Sequence, residues 1–213
     1  MPSNINPRVL FVIGNLALFM IGLGFAVRAN IAADIQTELF NPIDLAQSAS
    51  MVGEVLGATF TGFALTLLFG SALLDHIGMK VMLLFAAFGF FAGSMAILLV
   101  SVMPPTESTY WVILISFLLT GLGWGAVEAA TNPMVATLFP EDKTHRLNIL
   151  HAWWPAGIVV GGLAGLAVSE VGLPWQVNLV LLMVPAIVLA WLVLISVFPV
   201  TERGAAGISH RDM

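Results

Sequence analysis

Glu128 and Asn132 stand four residues apart in the run Glu128–Ala–Ala–Thr–Asn132–Pro133, inside a long apolar stretch. On an α-helix that spacing puts both side chains on one face. Pro133 has no amide hydrogen, so a carbonyl one turn earlier loses its donor. A carboxylate among apolar residues at membrane depth is costly unless it faces a cavity, a partner or a proton. Two readings of Glu128 follow: a proton-carrying or ligand-binding group, or a structural carboxylate held by neighbouring helices.

A second group begins at Asn148. Asn148 and His151 are three apart and share a face, and Trp153, Trp154 and Pro155 follow. Trp153 and Trp154 point in different directions, so at most one joins that face; Trp153 is the candidate taken with Asn148 and His151. An aromatic ring beside hydrogen-bonding groups suits a polar organic ligand. The alternative is a tryptophan anchored at the cytoplasmic interface, with His151 as its neighbour. A third group, Arg28, Asn30 and Asp34, falls toward the end of the first apolar stretch. Arg28 is expected either to brace the bundle by pairing with Glu54 or to contact substrate or a gate. Asn15, Gln176 and Asn178 read as structural hydrogen bonders.

Several chemistries have no support. Cysteine is absent, which removes disulfides, thiol nucleophiles and thiolate metal sites. His76 and His145 are too scattered for a metal centre. There is no phosphate-binding loop, dinucleotide fingerprint, zincin motif or paired-aspartate site. No cofactor is expected beyond a proton as coupling ion, and no enzymatic activity. The net charge of −5 speaks against binding nucleic acid.

The elements that must position these residues are membrane helices. Of 213 residues, 59% are hydrophobic and 9% charged, and the mean hydropathy is +1.01. Too few polar residues remain to cover a soluble globule of this size. A span needs about 20 mostly apolar residues. Six stretches qualify, at 9–33, 51–74, 81–102, 110–138, 149–169 and 177–200. The first is too long for a signal peptide and lacks its cleavage pattern, so it reads as a spanning helix. The predicted fold is an all-α integral membrane bundle of two inverted three-helix units over 1–200. Residues 201–213 form a polar tail or the start of a cytoplasmic loop. Asp44 reads as the N-cap of the second helix. Glycines four apart, including Gly53 with Gly57, Gly89 with Gly93 and Gly157 with Gly161, are expected at close helix contacts.

Orientation follows from the basic residues. With the amino terminus in the cytoplasm, Arg8, Lys80, Lys143, Arg146, Arg203 and Arg211 lie inside, and only Arg28 lies toward the other face. The expected location is the plasma (inner) membrane.

The loop Ser71–Ala–Leu–Leu–Asp75–His76–Ile–Gly78–Met79–Lys80 resembles the signature between the second and third helices of the major facilitator superfamily. Asp75, Gly78 and Lys80 match it, whereas Ser71, His76 and Met79 depart from it. The resemblance implies a gating role for this loop. The run from Glu128 to Pro133, with Arg146–Leu–Asn148 and Gly157, is similar to the fucose and glucose/galactose permease branch. That likeness implies proton or sugar handling by Glu128, with Asp34 loosely matching an acidic residue late in the first helix. Such transporters have twelve helices, so the chain is expected to be an amino-terminal half. Its partners would be lipid, a small polar solute, and a missing carboxy-terminal half or a second copy. The implied function is proton-coupled uptake of a sugar or similar solute. An organic-anion facilitator or antiporter selected by Arg28, and a non-transporting scaffold or truncated remnant, are the rivals.

Overall fold

The computed structural model describes residues 5–200. Among these, six helices are long and apolar enough to cross a membrane, and no strand occurs. They are α1 (Pro7–Asp34), α2 (Ser48–Ile77), α3 (Met79–Ser101), α4 (Glu107–Leu138), α5 (Lys143–Glu170) and α6 (Val177–Ile195). Arg203, Arg211 and the rest of the tail lie outside the described residues.

Local chemistry sets the helix ends. The Asn6 side chain accepts from the amides of Arg8 (3.1 Å) and Val9 (3.2 Å), and Pro7 opens α1 where its missing amide costs nothing. Thr106 and Thr109 form a reciprocal capping box at the start of α4. Gly78 alone separates α2 from α3, at φ +85°, a conformation only glycine adopts without strain.

Several boundaries differ from the sequence expectation; α6, expected to reach residue 200, ends at Ile195. α1 does not stop near residue 33 but continues as a π-helical segment, Ile35–Phe40, whose Phe40 is buried against Tyr110. Tertiary packing of an apolar end extends the helix past its polar residues. Asp44 accepts from the Ala46 and Gln47 amides and so caps its own turn; α2 starts after Gln47. α5 begins at Lys143, six residues before the apolar stretch. There the Arg146 guanidinium pairs with Asp142 at 3.1 Å and lies over Phe139.

The helices pack as two equivalent parallel pairs, α1 with α5 and α2 with α4, joined by α3 and α6. Glycine permits the close approach in both. A Cβ at Gly157 of α5 would strike the Phe19 carbonyl of α1, and one at Gly121 of α4 would strike the backbone of Thr59 in α2. Gly22 and Gly62 serve the reverse directions. Gly53 and Gly57, expected at a contact, instead have open space beside them. The repetition of one packing mode in α1–α3 and α4–α6 is that of two inverted three-helix units. α1 and α4 run antiparallel through the centre, with Gly14 beside Thr131 and Met134, Gly24 beside Trp124, and Phe40 against Tyr110. α2 and α5 keep most of their faces exposed.

Candidate functional site

α4 is buried around most of its circumference, but Glu128, Asn132 and Pro133 retain partial exposure on it. The Asn132 side-chain amide donates to the Glu128 carboxylate (3.1 Å) and to the Glu128 carbonyl (3.2 Å). From α5, His151 Nε2 meets Asn132 Oδ1 at 3.0 Å. Three polar side chains on two helices thus form one hydrogen-bonded chain. Its chemistry fixes its polarity. A carboxylate only accepts, so Asn132 turns its NH2 toward Glu128 and its carbonyl oxygen toward His151, and His151 must donate from Nε2.

Pro133 and Pro155 lie just beyond Asn132 and His151, inside α4 and α5. Each removes one helical hydrogen bond beside the polar chain. Asn148 sits almost one turn before His151, exposed, at an open cleft lined by the α4–α5 connection and the first turn of α5, Pro140 to His145. Trp153 is not part of this face. Two residues of helix rotate it by roughly 200° from His151, and its ring packs edge-on against Phe19, 6.3 Å away. There it lines an apolar groove with Val12, Asn15, Leu16 and residues of α6. Trp154, three residues after His151, is the tryptophan nearer the polar chain in helical register.

Arg28 does not pair with Glu54. Its guanidinium stacks over Trp124 (4.6 Å to the ring centre), Phe60 (4.9 Å) and Phe25 (5.3 Å), and Nη1 donates to the Leu56 carbonyl at 3.1 Å. Glu54 accepts instead from Ser50 and from the Tyr110 hydroxyl. Nor is Arg28 near the outer end: its stacking partner Trp124 is midway along α4, because α1 runs on to Phe40 and shifts Arg28 inward. The cluster with Asn30 and Asp34 dissolves because two residues of helix turn a side chain by roughly 200°. Asn30 points to the other side, donating to the Gly161 carbonyl (3.1 Å) and to Asn178 (3.3 Å). Asp34 lies beyond it, its carbonyl accepting from Thr37, roughly four turns from the level of Glu128 by helical rise.

In the α2–α3 connection, Lys80 donates to the Leu194 (2.7 Å) and Ser196 (3.0 Å) carbonyls at the end of α6. A cation on these carbonyls stabilises a helix C-terminus. Asp75 is exposed in the last turn of α2, and Gly78 supplies the turn. At the opposite end, Trp175 donates to Glu38 at 2.8 Å and ties the π-helical segment to the α5–α6 loop.

Sequence reasoning missed Trp124, Phe25 and Phe60. Trp124 did carry a signal: with Glu128 and Asn132 it completes a stripe spaced by four. The partners Tyr110 for Glu54 and α6 for Lys80 carried none.

A family model described as Major Facilitator Superfamily matches residues 9–212. No curated protein matches the sequence significantly. Among solved structures, one described as the inward open conformation of the xylose transporter XylE from E. coli superposes with a TM-score of 0.75. The match has 15% sequence identity and covers 94% of this chain and 50% of that one. At that identity the likeness is one of fold, and the chain spans about half the length of that transporter.

Proposed function

The chain belongs to the major facilitator superfamily, and from that premise we propose that it is the amino-terminal half of a proton-coupled transporter taking up a sugar or similar small polar solute. The observation that carries this reading is the hydrogen-bonded chain Glu128–Asn132–His151. Its middle member is an amide, which donates at one end and accepts at the other. Protonation of Glu128 converts an acceptor into a donor. Asn132 then turns its carbonyl toward Glu128 and its NH2 toward His151, whose Nε2 must become an acceptor. Proton arrival at α4 is thereby felt at α5, on a face where Asn148 and Trp154 can meet a solute.

The resemblance of the Glu128–Pro133 run to the fucose and glucose/galactose permease branch supports a sugar-like solute. Asp34 would act at the outer end of the pathway, and the Asp75–Lys80 loop at the inner gate. Lys80 holds α3 to the end of α6 there, and breaking that contact would free the two helices to move apart. Six helices supply one side of an alternating-access cavity. A second six-helix bundle, from a carboxy-terminal half or a second copy, completes it. The distribution of basic residues supports an amino terminus in the cytoplasm, and the plasma (inner) membrane is the proposed location.

The test is uptake into proteoliposomes holding the complete twelve-helix assembly, with and without an imposed pH gradient. Glu128→Gln keeps size and hydrogen bonding but cannot titrate. It should abolish gradient-driven accumulation while exchange of labelled for unlabelled solute at equal pH survives. Wild-type accumulation by the variant removes Glu128 from coupling.

A further inference from the structure

Arg28 is 6% exposed and lies midway along the bundle, yet among the described residues no carboxylate pairs with it. A buried charge at membrane depth ordinarily finds a counter-ion. Here the guanidinium rests on three aromatic faces and spends one donor on the Leu56 carbonyl, while Nε has no acceptor. Trp124 is 2% exposed, and its indole Nε1 is likewise without an acceptor. Two adjacent buried residues therefore present unpaired donors, and one of them carries an uncompensated positive charge. Leaving such donors unpaired is expensive, and an oxyanion admitted beside the Arg28 guanidinium would supply a missing acceptor.

We propose that Arg28 and Trp124 form an anion subsite, so that the transported solute carries a carboxylate beside its hydroxyl groups, as a sugar acid does. The inference rests on the transport reading above and narrows its substrate class. Trp124 precedes Glu128 by one helical turn, about 6 Å along α4. A six-membered sugar ring spans that interval, with its carboxylate on Arg28 and its hydroxyls toward Glu128, Asn132 and His151. The stacked rings do not neutralise the guanidinium; they orient it and exclude water, which strengthens a charge-assisted hydrogen bond. Phe60 is the most exposed wall of the cage, at 51%.

The experiment titrates the purified full-length chain with D-glucuronate, using D-glucose as the neutral counterpart and sodium chloride to match ionic strength. Tryptophan fluorescence and melting temperature are the readouts. Glucuronate should bind and stabilise at concentrations where glucose does not. Arg28→Met should weaken glucuronate about 10- to 100-fold, the loss of charge-assisted hydrogen bonds. Trp124→Phe keeps the ring but removes the indole donor, and should weaken it several-fold; it decides the matter if Arg28→Met does not fold. Glu128→Gln alters the hydroxyl contacts of both ligands but should leave the preference for glucuronate over glucose in place. Loss of proton coupling and loss of the anion subsite are thus read separately. Equal or absent responses to glucuronate and glucose overturn the proposal, as does unchanged glucuronate affinity in a folded Arg28→Met or in Trp124→Phe.

Discussion

A side-chain amide between a carboxyl and an imidazole relays hydrogen-bond polarity without itself titrating. That is why Asn132 matters as much as Glu128. Asn132→Ala removes both contacts at once, from the Glu128 carboxylate and from His151. It should slow gradient-driven uptake and equal-pH exchange alike, by about 10-fold or more if the amide also reaches the solute. Asn132→Asp should be worse than alanine, because it sets a second carboxylate beside Glu128 in a low-dielectric site. Rates from the two variants, measured in both transport modes, check the order. An Asn132→Ala protein that exchanges normally would confine the amide to proton relay.

At the scale of elements, the bundle is organised by where helix backbones touch. Gly157 and Gly121 occupy equivalent contacts in the α1–α5 and α2–α4 pairs, and each lacks room for a methyl group. Gly157→Val and Gly121→Val should each destabilise by about 1–3 kcal/mol or more through overpacking. Gly53→Ala and Gly57→Ala face open space and should be neutral or slightly stabilising, since alanine favours helix by about 1 kcal/mol over glycine. Melting temperatures of the four variants in detergent separate contact glycines from incidental ones. Lys80 is the other element-level device, joining the α2–α3 turn to the last carbonyls of α6. Lys80→Met removes the cation while keeping an apolar stem. It should loosen that end of α6, seen as faster hydrogen exchange at residues 191–196.

For the whole molecule, direction in the membrane is set by charge. Accessibility tags at Met1 and in the Asp75–Lys80 turn should report the cytoplasm, and a tag near Asn41 the opposite face. An amino terminus found outside would reverse the orientation and exchange the inner and outer ends assigned above. The pair α2 and α5 leaves much of its surface uncovered, including Leu68 and Phe69 of α2 and Val159 and Leu163 of α5. Lipid covers apolar residues readily, but it does not cover Glu128, Asn132 and His151. Purified alone, the chain should therefore self-associate or melt at lower temperature than when a second six-helix bundle is present. Size-exclusion with light scattering, and melting with and without that bundle, measure this directly.

Some of this protein could be read from residue order because the governing physics is local. Span length and charge-free runs are properties of consecutive residues, so six membrane helices were visible without any knowledge of neighbours. The pairing of Glu128 with Asn132 was equally legible, since four residues make one helical turn. Helical period gives a face but not what that face meets, and there the tertiary structure decided. His151 reaches Asn132 only because α5 lies beside α4. Arg28 sits at mid-depth, on Trp124 rather than Glu54, because a π-helical extension anchored by Phe40 lengthens α1 and moves the arginine inward. Trp153 and Trp154, adjacent in sequence, part company because one faces the α1 groove. Lys80 binds carbonyls more than a hundred residues away, a contact with no trace in its own neighbourhood. Depth and partnership depend on how long helices cross, and crossing is fixed by the glycine contacts of the assembled bundle rather than by any single segment.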